Sequence, residues 1–576
     1  MDTKGLSGGE AFLRLLGQMG VERIFASPGS EWSPVWEYLA KPYGPDEPIP
    51  VYLSSRHEEI AVAMASGYAK ATGKLPAVMI HTTVGSLHAT MELRQALHER
   101  VPMVVFAGES IGFGEAPGDD PGHQWMLLAD VGGPARLVER CVKWSFALNA
   151  GSILPATIQR ACQLAMAAPQ GPVFVSIPME FLLETVTTNP PPSAALAHAP
   201  AADPRAIDEL AWVLGEAKSP VIVTEDVGRS VRAVEHLVAL AETLGAPVVE
   251  AWHPTYVNFP RTHPLYGGVG PSDVAGSLRE ADVVFLLAAP TPWHPPSSAP
   301  GPGAKVVILD DDPLRPELPF WGYRSDLVVT GEVERSLAML LERVRHANPP
   351  GTRTGRVERW RARHEKRRTA LREEGLASAD SKPIDTRWVA HELNQILPPD
   401  AVIVNETITH RLEIHRFLDR LTPGRFFEGC YGGLGTGLGR ALGVKAAAPD
   451  RTVIALIGDG AFNYNPVLAG LGVCQEYRMP ILIVLFNNAG YLSQKSGIPR
   501  HYPDGWAVKA QKFVGTSILP SPDYAAIMRA FDGYGEKVED PGQVRSAFLR
   551  GLEAVSSGRA ALLDMKLEPI NRSGEV

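Results

Sequence analysis

Short apolar runs alternate with helix-length amphipathic segments along most of the chain. The runs are continuous stretches rich in Val, Ile and Leu, a pattern typical of strands that are buried on both faces of a parallel sheet. They fall into three blocks, which read RIFASPG, PVYLSS, PAVMIHT, PMVVFAGE and PVFVSIP; PVIVTE, APVVEA, DVVFLLAAP and KVVILDDD; and DAVIVNE, VIALIGDG, PILIVLFNN and AALLDMKL. The pattern predicts an α/β protein with three doubly wound parallel sheets.

Two breaks in composition separate these blocks. Residues 187–204 are rich in Pro and Ala, whereas residues 348–383 begin with a Pro/Gly break and continue as a highly charged helix. We therefore expect domains at 1–186, 205–347 and 384–576, with the two breaks as linkers. The Arg and Lys cluster of the second linker is typical of a solvated helix face.

The bulk composition narrows the class of protein. The chain has 576 residues, of which 45% are apolar and 21% charged, and its formal net charge is −9. This acidic balance argues against nucleic-acid binding, which needs a basic face. The four cysteines are far apart and are expected to be reduced thiols. With neither a signal peptide nor an apolar run that could span a bilayer, the sequence predicts a cytoplasmic protein without a membrane partner.

Polar residues with useful chemistry end several of the predicted strands. In parallel sheets, ligands bind outside the carboxyl ends of the strands. The residues at these positions are Ser30, His81, Glu109, Glu406, Asp459 and Asn488. Asn488 lies 29 residues after Asp459, and the segment between them fits one helix plus the next strand of a βαβ unit.

A βαβ unit would bring the Asp459 carboxylate and the Asn488 carboxamide side by side. Both offer hard oxygen ligands of the kind that Mg²⁺ prefers. Gly458, Gly460 and Ala461 are small and stand at a helix start, where a phosphate could approach closely. Gly-Asp-Gly alone is also an ordinary turn sequence. Together with the asparagine pair, it supports the hypothesis of a clamp for a Mg²⁺-bound diphosphate.

The sequence GDG followed about thirty residues later by NN resembles the signature of thiamine diphosphate (ThDP) enzymes of the pyruvate decarboxylase and acetolactate synthase type. In this chain the segment between the two motifs is a residue or two longer than usual, around NYNPVLAG. The resemblance implies ThDP and Mg²⁺ as cofactors. It further implies that Asp459, Asn488 and the backbone carbonyl of Gly490 bind the metal, with Tyr491 beside the cofactor.

The same resemblance implies a second half-site in the first block. SSRHEEIAVAMASGYAKATGK resembles the family segment in which a glutamate opens a helix ten residues before the tyrosine of Gly-Tyr-Ala, and Glu58 is the match. In the family this acid contacts N1′ of the cofactor's pyrimidine and promotes loss of the C2 proton of its thiazolium. YGGLGTGLGRALGVK resembles the segment that props the thiazolium, with Leu434 as the prop, Gly433 beside it and glycines that let backbone approach the cofactor. An ordinary helix-start acid and a core leucine are the alternative interpretations.

Three further segments resemble benzoylformate decarboxylases. SPGSEWSP implies that Ser30 contacts the substrate carboxylate, and IHTTVGSLHA implies that His81 takes part in proton transfer. VIVNETITH implies three residues beside the cofactor, Asn405, Glu406 and Thr407. In the middle block, FPRTHPLYGG and APTPWHPP also resemble that enzyme, and the second places His294 near the active site with a one-residue offset.

Two segments depart from the decarboxylase pattern. SEWSPVWEYL carries Trp32 and Trp36, which favour an apolar wall for a sizeable substrate side chain, and YLSQKSGIPRHYPDGWAVKAQKF does not match closely. The middle block, where related enzymes hold FAD or ADP, contains no glycine-rich nucleotide fingerprint, so we expect it to be structural. We also expect His57 and His88 to be structural.

The resemblance implies a ThDP- and Mg²⁺-dependent decarboxylase that converts a 2-oxo acid to CO₂ and an aldehyde. An acetolactate-synthase-like carboligase, forming 2-hydroxy ketones or acids, remains open. So does a ThDP-binding homologue without turnover, although the intact Glu58, Asp459 and Asn488 argue against it. Because the cofactor of this family bridges two subunits, the resemblance also implies a homodimer at minimum and a homotetramer as the expected state.

Overall fold

A computed structural model of the protein describes residues 5–111, 130–186, 199–318, 322–347, 353–429 and 432–570. Its architecture rests on three six-stranded sheets, and neighbouring strands within each sheet are parallel. Helices follow most of the strands along the chain. The predicted α/β class with three doubly wound parallel sheets is confirmed.

The first sheet comes from the N-terminal third of the chain. Its region contains the strands β1 Leu6–Ser7, β2 Arg23–Ser27, β3 Val51–Ser54, β4 Ala77–Ile80, β5 Met103–Glu109, β6 Trp144–Ala147, β7 Pro172–Pro178 and β8 Thr185–Val186. The helices are α1 Gly8–Gln18, α2 Ser33–Leu39, α3 Glu58–Thr72, α4 Thr83–His98, α5 Pro134–Leu137, α6 Leu154–Met166 and α7 Met179–Leu183. The sheet order is β3-β2-β4-β5-β7-β6, and β1 pairs separately with β8 in antiparallel fashion.

The middle sheet has the order β11-β10-β9-β12-β13-β14. These strands are β9 Pro220–Thr224, β10 Val248–Glu250, β11 Tyr266–Val269, β12 Val283–Leu287, β13 Lys305–Asp310 and β14 Leu327–Thr330. The helices are α8 Pro204–Glu216, α9 Val231–Leu244, α10 Pro271–Leu278 and α11 Val333–Ala347. Asp203 and Ser230 cap α8 and α9 by accepting hydrogen bonds from backbone N–H groups of the first turn, which explains where these helices begin.

The third sheet has the order β16-β15-β17-β18-β20-β19. These strands are β15 Val402–Glu406, β16 Phe426–Glu428, β17 Val453–Gly458, β18 Leu482–Asn487, β19 Tyr534–Val538 and β20 Ala561–Lys566. The helices from residue 354 onward are α12 Thr354–Ala377, α13 Thr386–Ile396, α14 Arg411–Phe417, α15 Gly437–Ala447, α16 Asp459–Tyr464, α17 Val467–Glu476, α18 Leu492–His501, α19 Trp506–Ala510, α20 Tyr524–Arg529 and α21 Val544–Ser556.

The structure corrects the expected segment between Asp459 and Asn488. One helix was expected there, but α16 and α17 are separate, with Asn465 and Pro466 between them. Proline lacks the N–H that would continue the helical hydrogen bonds, which explains the break. The segment still joins β17 to its parallel neighbour β18, so the expected βαβ arrangement is present.

The domain boundaries and linkers stay predictions. Residues 187–198 of the first linker lie outside the described residues, and α8 begins at Pro204. Helix α12 occupies most of the second linker, as its charge pattern predicts. Cys141, Cys162 and Cys474 are free thiols, and Cys430 lies outside the described residues. In the part of the chain that the structure describes, no helix is long and apolar enough to cross a membrane.

Contacts divide the chain into two compact units. The first contains the described residues of Met1–His198, Gly429–Asp450 and Asn463–Met479, and the second those of Ala199–Glu428, Arg451–Phe462 and Pro480–Val576. Helices α15 and α17 therefore belong to the first unit. The second unit contains both the middle and the third sheet.

Glycines let α3 and α15 approach closely within the first unit. A Cβ atom at Gly443 would lie 1.9 Å from the carbonyl oxygen of Met64, and one at Gly67 would lie 2.1 Å from that of Arg440. Neither position has room for a side chain. Gly443 therefore serves helix packing.

A buried ion cluster joins α15 to α4 in the same unit. The guanidinium of Arg440 on α15 donates to both carboxylate oxygens of Glu92 on α4 at 2.9 Å and to Glu99 at 3.1 Å. The Arg440 side chain is 3% exposed, and those of Glu92 and Glu99 are 0% and 1% exposed. Charges buried this deeply are tolerated because each is paired.

Candidate active site

The topology of each sheet creates a crevice where the strand order reverses direction. In the third sheet this point lies between β15 and β17, because the chain runs from β15 to β16 on one side and from β17 to β18 on the other. In the first sheet the equivalent point lies between β2 and β4. Ligands of doubly wound sheets bind outside the carboxyl ends of such strands. Most of the candidate residues lie at these two points.

Asp459 and Asn488 lie close to each other after β17 and β18. The carboxylate of Asp459 accepts a hydrogen bond of 3.1 Å from the backbone N–H of Gly490, so the loop that carries Asn488 is tied to the first residue of α16. Asn488 follows the last residue of β18 directly, and its backbone carbonyl accepts a 2.9 Å hydrogen bond from Ile570. The structure thus brings together the two residues that the sequence predicts as a pair.

The Asn488 carboxamide oxygen, Oδ1, is buried and has no hydrogen-bond partner among the described residues. An unsatisfied buried acceptor costs about 1–3 kcal/mol. Burial also raises the pKa of Asp459 to about 6, because the charged form of the carboxylate loses water. A divalent cation would satisfy the oxygen and stabilise the charged carboxylate. This donor set therefore fits Mg²⁺, with oxygen ligands from two side chains.

Two glycines admit neighbouring groups at this edge. A Cβ atom at Gly460 would lie 2.9 Å from the ring of Tyr491, so glycine allows that ring to cover the start of α16. A Cβ atom at Gly458 would meet only the carbonyl oxygens of Thr407 and Glu406, at 3.8 and 4.0 Å. The ends of β15 and β17 are thus adjacent. Ala461, on the first turn of α16, is buried in the same region.

Asn405 is fixed by two buried hydrogen bonds. Its Nδ2 donates to Glu428 at 2.8 Å, and its Oδ1 accepts from the hydroxyl of Thr407 at 3.0 Å. Both amide atoms are therefore engaged inside the protein. The two hydrogen bonds of Asn405 therefore fix the conformation of the chain at the end of β15. Glu406 and Thr407 are buried beside it.

His410 was not predicted and contacts Asn488. Its ring nitrogen Nε2 lies 3.4 Å from Asn488 Nδ2, and Nδ1 lies 3.1 Å from the hydroxyl of Thr386. Burial lowers the pKa of His410 to about 4, so the ring is neutral and Nε2 can accept the amide hydrogen. This contact orients Asn488 with Oδ1 facing away from the histidine. The only sequence signal was its place at the end of VIVNETITH.

Glu58 is the first residue of α3 and belongs to the first unit. Its carboxylate lies 3.2 Å from Nδ1 of His88, a contact that the sequence did not reveal. His57 caps the helix by accepting from the N–H of Glu59, as a structural residue would, and its ring stacks on that of His88 at 5.1 Å. Burial lowers the pKa of His57, which favours the neutral, accepting ring.

A cavity of about 840 Å³ lies beside this helix start. Its lining includes His57, Glu59, His88 and Leu434, together with Tyr464. All belong to the first unit. The volume is typical of a site for a small organic ligand. Gly433 is buried next to Leu434, and a Cβ atom there would lie 2.4 Å from the side chain of Gln95.

His81 and Glu31 form a second unpredicted pair. The ring nitrogen Nδ1 of His81, directly after β4, lies 2.9 Å from both carboxylate oxygens of Glu31. The hydrogen bond to Glu31 is the main cause that raises the pKa of His81. Gly85 lies between His81 and Glu58, since a Cβ atom there would be 3.1 Å from each side chain. The two candidate proton-transfer groups therefore lie close together.

Ser30 lies at the same crevice but not at a strand end as expected. It begins a short 3₁₀ turn of Ser30–Trp32, three residues after β2. The turn places Glu31 inward, because the N–H of Gly29 donates to its carboxylate at 3.2 Å. The serine to which the sequence assigns substrate contact thus adjoins the glutamate that holds His81.

The expectation that Trp32 forms a substrate wall is wrong. The side chain is 0% exposed, packs against Phe12 at 5.5 Å between ring centroids, and donates its indole N–H to the carbonyl of Ile80. It belongs to the core of the first sheet. Trp36 is 38% exposed and lies 3.3 Å from the hydroxyl of Tyr52.

His294 lies in the middle-sheet region. Its exposed ring is 5.6 Å from that of Trp252. The middle crevice, after β9 and β12, contains the buried Glu225, whose carboxylate accepts the backbone N–H groups of His253 and Thr291. Burial raises the pKa of Glu225 to about 7. The carboxylate of Glu225 thus holds together the loops that follow β10 and β12 at this crevice.

Three family models match the chain. They are the N-terminal TPP binding domain of thiamine pyrophosphate enzymes over residues 6–112, the central domain over residues 207–338 and the C-terminal TPP binding domain over residues 408–565. Thiamine pyrophosphate (TPP) is another name for ThDP. The chain belongs to the thiamine pyrophosphate enzymes. Glu58 lies within the N-terminal match of this ThDP enzyme, and Asp459 and Asn488 lie within the C-terminal match.

Similar proteins span nearly the whole chain of this ThDP enzyme. Benzoylformate decarboxylase of Pseudomonas aeruginosa is 28% identical over 538 residues, covering 91% of this chain and 92% of the relative. Acetolactate synthase isozyme 3 large subunit of Escherichia coli is 26% identical, covering 98% and 95%. A solved structure, the ThDP-dependent 4-hydroxybenzoylformate decarboxylase of Rhodococcus jostii RHA1, aligns with a TM-score of 0.79 at 25% identity, covering 98% and 99%.

Proposed function

We propose that this ThDP enzyme catalyses the Mg²⁺-dependent, non-oxidative decarboxylation of a 2-oxo acid, releasing CO₂ and an aldehyde. The observation that carries the proposal is the buried Glu31 carboxylate, which holds His81 beside Glu58 at the crevice of the first sheet. A protonated histidine at that position suits delivery of a proton to the carbon that loses CO₂.

Mg²⁺ would be held by the side chains of Asp459 and Asn488 and by the backbone carbonyl of Gly490. The buried, unpartnered Oδ1 of Asn488 and the raised pKa of Asp459 support this assignment. A cation held there would offset the negative charge of the cofactor's diphosphate. The remaining residues that we assign to cofactor contact are Asn405, Glu406, Thr407, Gly433, Leu434, Gly458, Gly460, Ala461 and Tyr491.

Glu58 would hold a proton against N1′ of the pyrimidine. When bound, ThDP supplies a centre that stabilises the negative charge left by decarboxylation. Glu58 stands at the first turn of α3 beside a cavity that accepts a ligand of this size. His88, in contact with the Glu58 carboxylate, restricts the orientation of that acid.

Ser30 and His81 would act on the substrate. Ser30 donates a hydrogen bond to the substrate carboxylate and so orients the bond that breaks. His81 keeps its proton to a higher pH because Glu31 raises its pKa, and it delivers that proton from Nε2. His294 is assigned as a second active-site histidine.

The substrate class proposed is an aryl or other sizeable 2-oxo acid. The names of two similar proteins, benzoylformate decarboxylase and 4-hydroxybenzoylformate decarboxylase, support it. The test is CO₂ release and aldehyde formation from benzoylformate, 4-hydroxybenzoylformate, branched aliphatic 2-oxo acids and pyruvate. We expect the aryl acids to have the highest kcat/KM. A preference for pyruvate would contradict the substrate class, and the absence of CO₂ release from all of them would favour a homologue without turnover.

A carboligase is the second candidate, because an acetolactate synthase is similar over 98% of this chain. The same assay distinguishes the two functions by product. A decarboxylase yields free aldehyde, whereas a carboligase yields a 2-hydroxy ketone or a 2-hydroxy acid when a second carbonyl compound is present. Chromatography of the products after incubation with pyruvate and benzoylformate together would decide between them.

We further propose that the enzyme is at least a homodimer, with a homotetramer as its expected state. Three apolar side chains on α4 next to Glu58 are exposed in the single chain, Val84 at 40%, Leu87 at 54% and Met91 at 43%. Their spacing forms a stripe on one helix face, which a second copy could cover. Light scattering coupled to size-exclusion chromatography should give at least twice the chain mass, and a monomer would contradict the proposal.

A further inference from the structure

A cleft lined by arginines lies within the second unit. Its volume is about 740 Å³, and its walls come from α12, α13, α14, the start of β11 and one residue of α21. Seven arginines and three acidic residues line it. So strong an excess of one charge is costly unless each guanidinium has a partner.

Four of these arginines are neutralised by carboxylates. The ion pairs have N–O distances between 2.8 and 3.3 Å and are Arg261–Glu250, Arg368–Asp419, Arg416–Glu374 and Arg545–Glu392. Guanidinium groups held in this way are structural. The other three arginines that line the cleft are Arg367, Arg372 and Arg420.

Two of these three are held by neutral groups. Arg367 donates to the backbone carbonyl of Tyr266 at 2.6 Å and lies 5.0 Å above its ring. Arg420 donates to the carbonyls of Asn394 and Gln395 at 3.1 and 2.9 Å, at the end of α13. Carbonyl groups fix the direction of a guanidinium but leave its charge uncancelled. Arg420 is therefore positioned in the cleft with its positive charge. The charge of Arg367 is partly offset by Asp273, since a Cβ atom at Gly268 would lie 2.0 Å from Asp273 Oδ2 and 2.8 Å from Arg367 Nη1.

Arg372 has no hydrogen-bond acceptor among the described residues and lies one turn beyond Arg368 on α12. The remaining acidic residue of the cleft, Glu365, offsets one charge. With Asp273 beside Arg367 as well, the three arginines exceed the available carboxylates by one charge. Guanidinium groups donate in a planar fork that matches phosphate oxygens, and a phosphate monoester carries about two negative charges at neutral pH.

The cleft also has an apolar side. Leu371, Leu376 and Phe417 line it together with the arginines. Its volume lies within the range of about 300–1,000 Å³ that is typical of small-molecule sites. A ligand that combines a phosphate with an apolar or aromatic body fits both sides.

We propose that this cleft binds a small organic phosphate through Arg367, Arg372 and Arg420, at a site separate from the crevices of the three sheets. The phosphate contacts the three guanidinium groups, and the organic part lies against Leu371 and Phe417. Because the walls come from helices around the third sheet and from a strand of the middle sheet, the bound ligand ties these elements together. Binding therefore stabilises the second unit against unfolding.

The test is isothermal titration calorimetry with AMP as the probe and adenosine as its uncharged counterpart. The protein is first saturated with ThDP and Mg²⁺, so that the probe cannot enter the cofactor site. We expect saturable binding of AMP, no binding of adenosine and a higher thermal midpoint with AMP. The result does not depend on which reaction the enzyme catalyses, so the proposed function and this site can fail separately.

Two variants and one control locate the binding. Arg372→Ala removes a side chain without an internal partner, so the fold is retained, and the affinity for AMP should fall at least tenfold. Arg420→Lys keeps a charge but loses the fork and should also weaken binding. Arg361→Ala removes an arginine of the same helix that pairs with Glu358 at 3.3 Å outside the cleft, and it should bind like the parent. No binding of AMP, or equal affinity in Arg372→Ala and the parent, would overturn the site.

Discussion

Both carboxylate oxygens of Glu31 lie 2.9 Å from Nδ1 of His81, beyond the carboxyl ends of β2 and β4. Two glycines make room for this pair. A Cβ atom at Gly108 would lie 2.0 Å from Glu31 Cγ, and one at Gly29 would lie 2.2 Å from His81 Nδ1. Since Glu31 is fully buried, its charge acts on the histidine through a medium that screens it weakly. The hydrogen bond to Glu31 therefore extends to higher pH the range over which the His81 ring is protonated.

Glu31→Gln should move the alkaline limb of the kcat–pH profile to lower pH. The hydrogen bond to Glu31 raises the pKa of His81, so the protonated ring persists to higher pH in the parent. Without the carboxylate the pKa falls and the acid form is lost earlier as pH rises. Steady-state kinetics across pH 5 to about 9 measures this. The control is Glu37→Gln, which changes an exposed glutamate of the same segment. Identical profiles for Glu31→Gln and the parent would contradict the proposal that Glu31 holds the proton on His81.

Asp459→Asn should abolish Mg²⁺-dependent binding of ThDP. The amide keeps the shape of the side chain but loses the charge that the cation needs. Calorimetric titration of ThDP with and without Mg²⁺ measures the loss. Asp450→Asn changes an exposed aspartate in the turn before β17 and should bind like the parent. Undiminished affinity in Asp459→Asn would contradict the metal assignment.

His410→Leu should raise the Mg²⁺ concentration needed for half-maximal ThDP binding by about 10–100-fold. Loss of a group that orients a metal ligand has effects of this size. The neutral ring no longer accepts from Asn488 Nδ2, so the amide can rotate and offer nitrogen to the metal. His410→Gln, which can still accept through its carbonyl oxygen, should recover much of the affinity. Equal metal requirements for the parent and His410→Leu would show that Asn488 is oriented by other contacts.

Glu58→Gln should bind ThDP but exchange its C2 proton far more slowly. Glutamine fills the same space without a titratable proton, and the loss of a general acid–base group costs about 10²–10⁴-fold. NMR of the bound cofactor after transfer to D₂O gives the exchange rate. His88→Gln serves as a comparison, because it removes only the neighbour of the acid. Exchange at the parent rate in Glu58→Gln would falsify the assignment.

Arg440→Leu should destabilise the protein by about 3–5 kcal/mol, the range seen when one partner of a buried ion pair is removed. Glu92 would remain buried without its arginine partner, while Glu99 would keep only Lys70, at 2.5 Å. Chemical denaturation followed by circular dichroism measures the change. A second substitution, Glu92→Gln, should restore part of the loss, because one stranded charge is then neutral. Arg361→Leu, on the exposed face of α12, should be close to the parent.

Every apolar run recognised in the sequence is a strand, and the strands that were missed lie at sheet edges. These are β6, β11, β14, β16 and β19, together with β1 and β8, which form the small two-stranded sheet. An edge strand has a neighbour on one side only, so its side chains can be polar or half-exposed, as in WSFA of β6 and YGEKV of β19. Inner strands are covered on both faces, and their apolar runs reveal them.

The candidate site was predictable where function depends on strand ends. Asp459 and Asn488 could be paired because they follow strands with helical sequence between them, and parallel strands bring such ends together. Glu31, His88 and His410 carried no comparable signal. Their contacts join positions 30 to 78 residues apart in the sequence, and only the packed structure shows them. The expectation that Trp32 lines the substrate site was wrong for the same reason, because the sequence does not distinguish a tryptophan beside a site from one in the core.

The ion pair between Arg440 and Glu92 can form only late in the synthesis of the chain. The two residues are 348 positions apart. A ribosome adds roughly 5–20 residues per second, so roughly 20–70 s pass between the synthesis of Glu92 and that of Arg440. During that time Glu99, just after α4, can pair with Lys70 of α3, which lies 2.5 Å away in the structure, whereas Glu92 lacks its arginine partner. Any nascent chain that ends before residue 440 therefore lacks the buried guanidinium that joins Glu92 to Glu99.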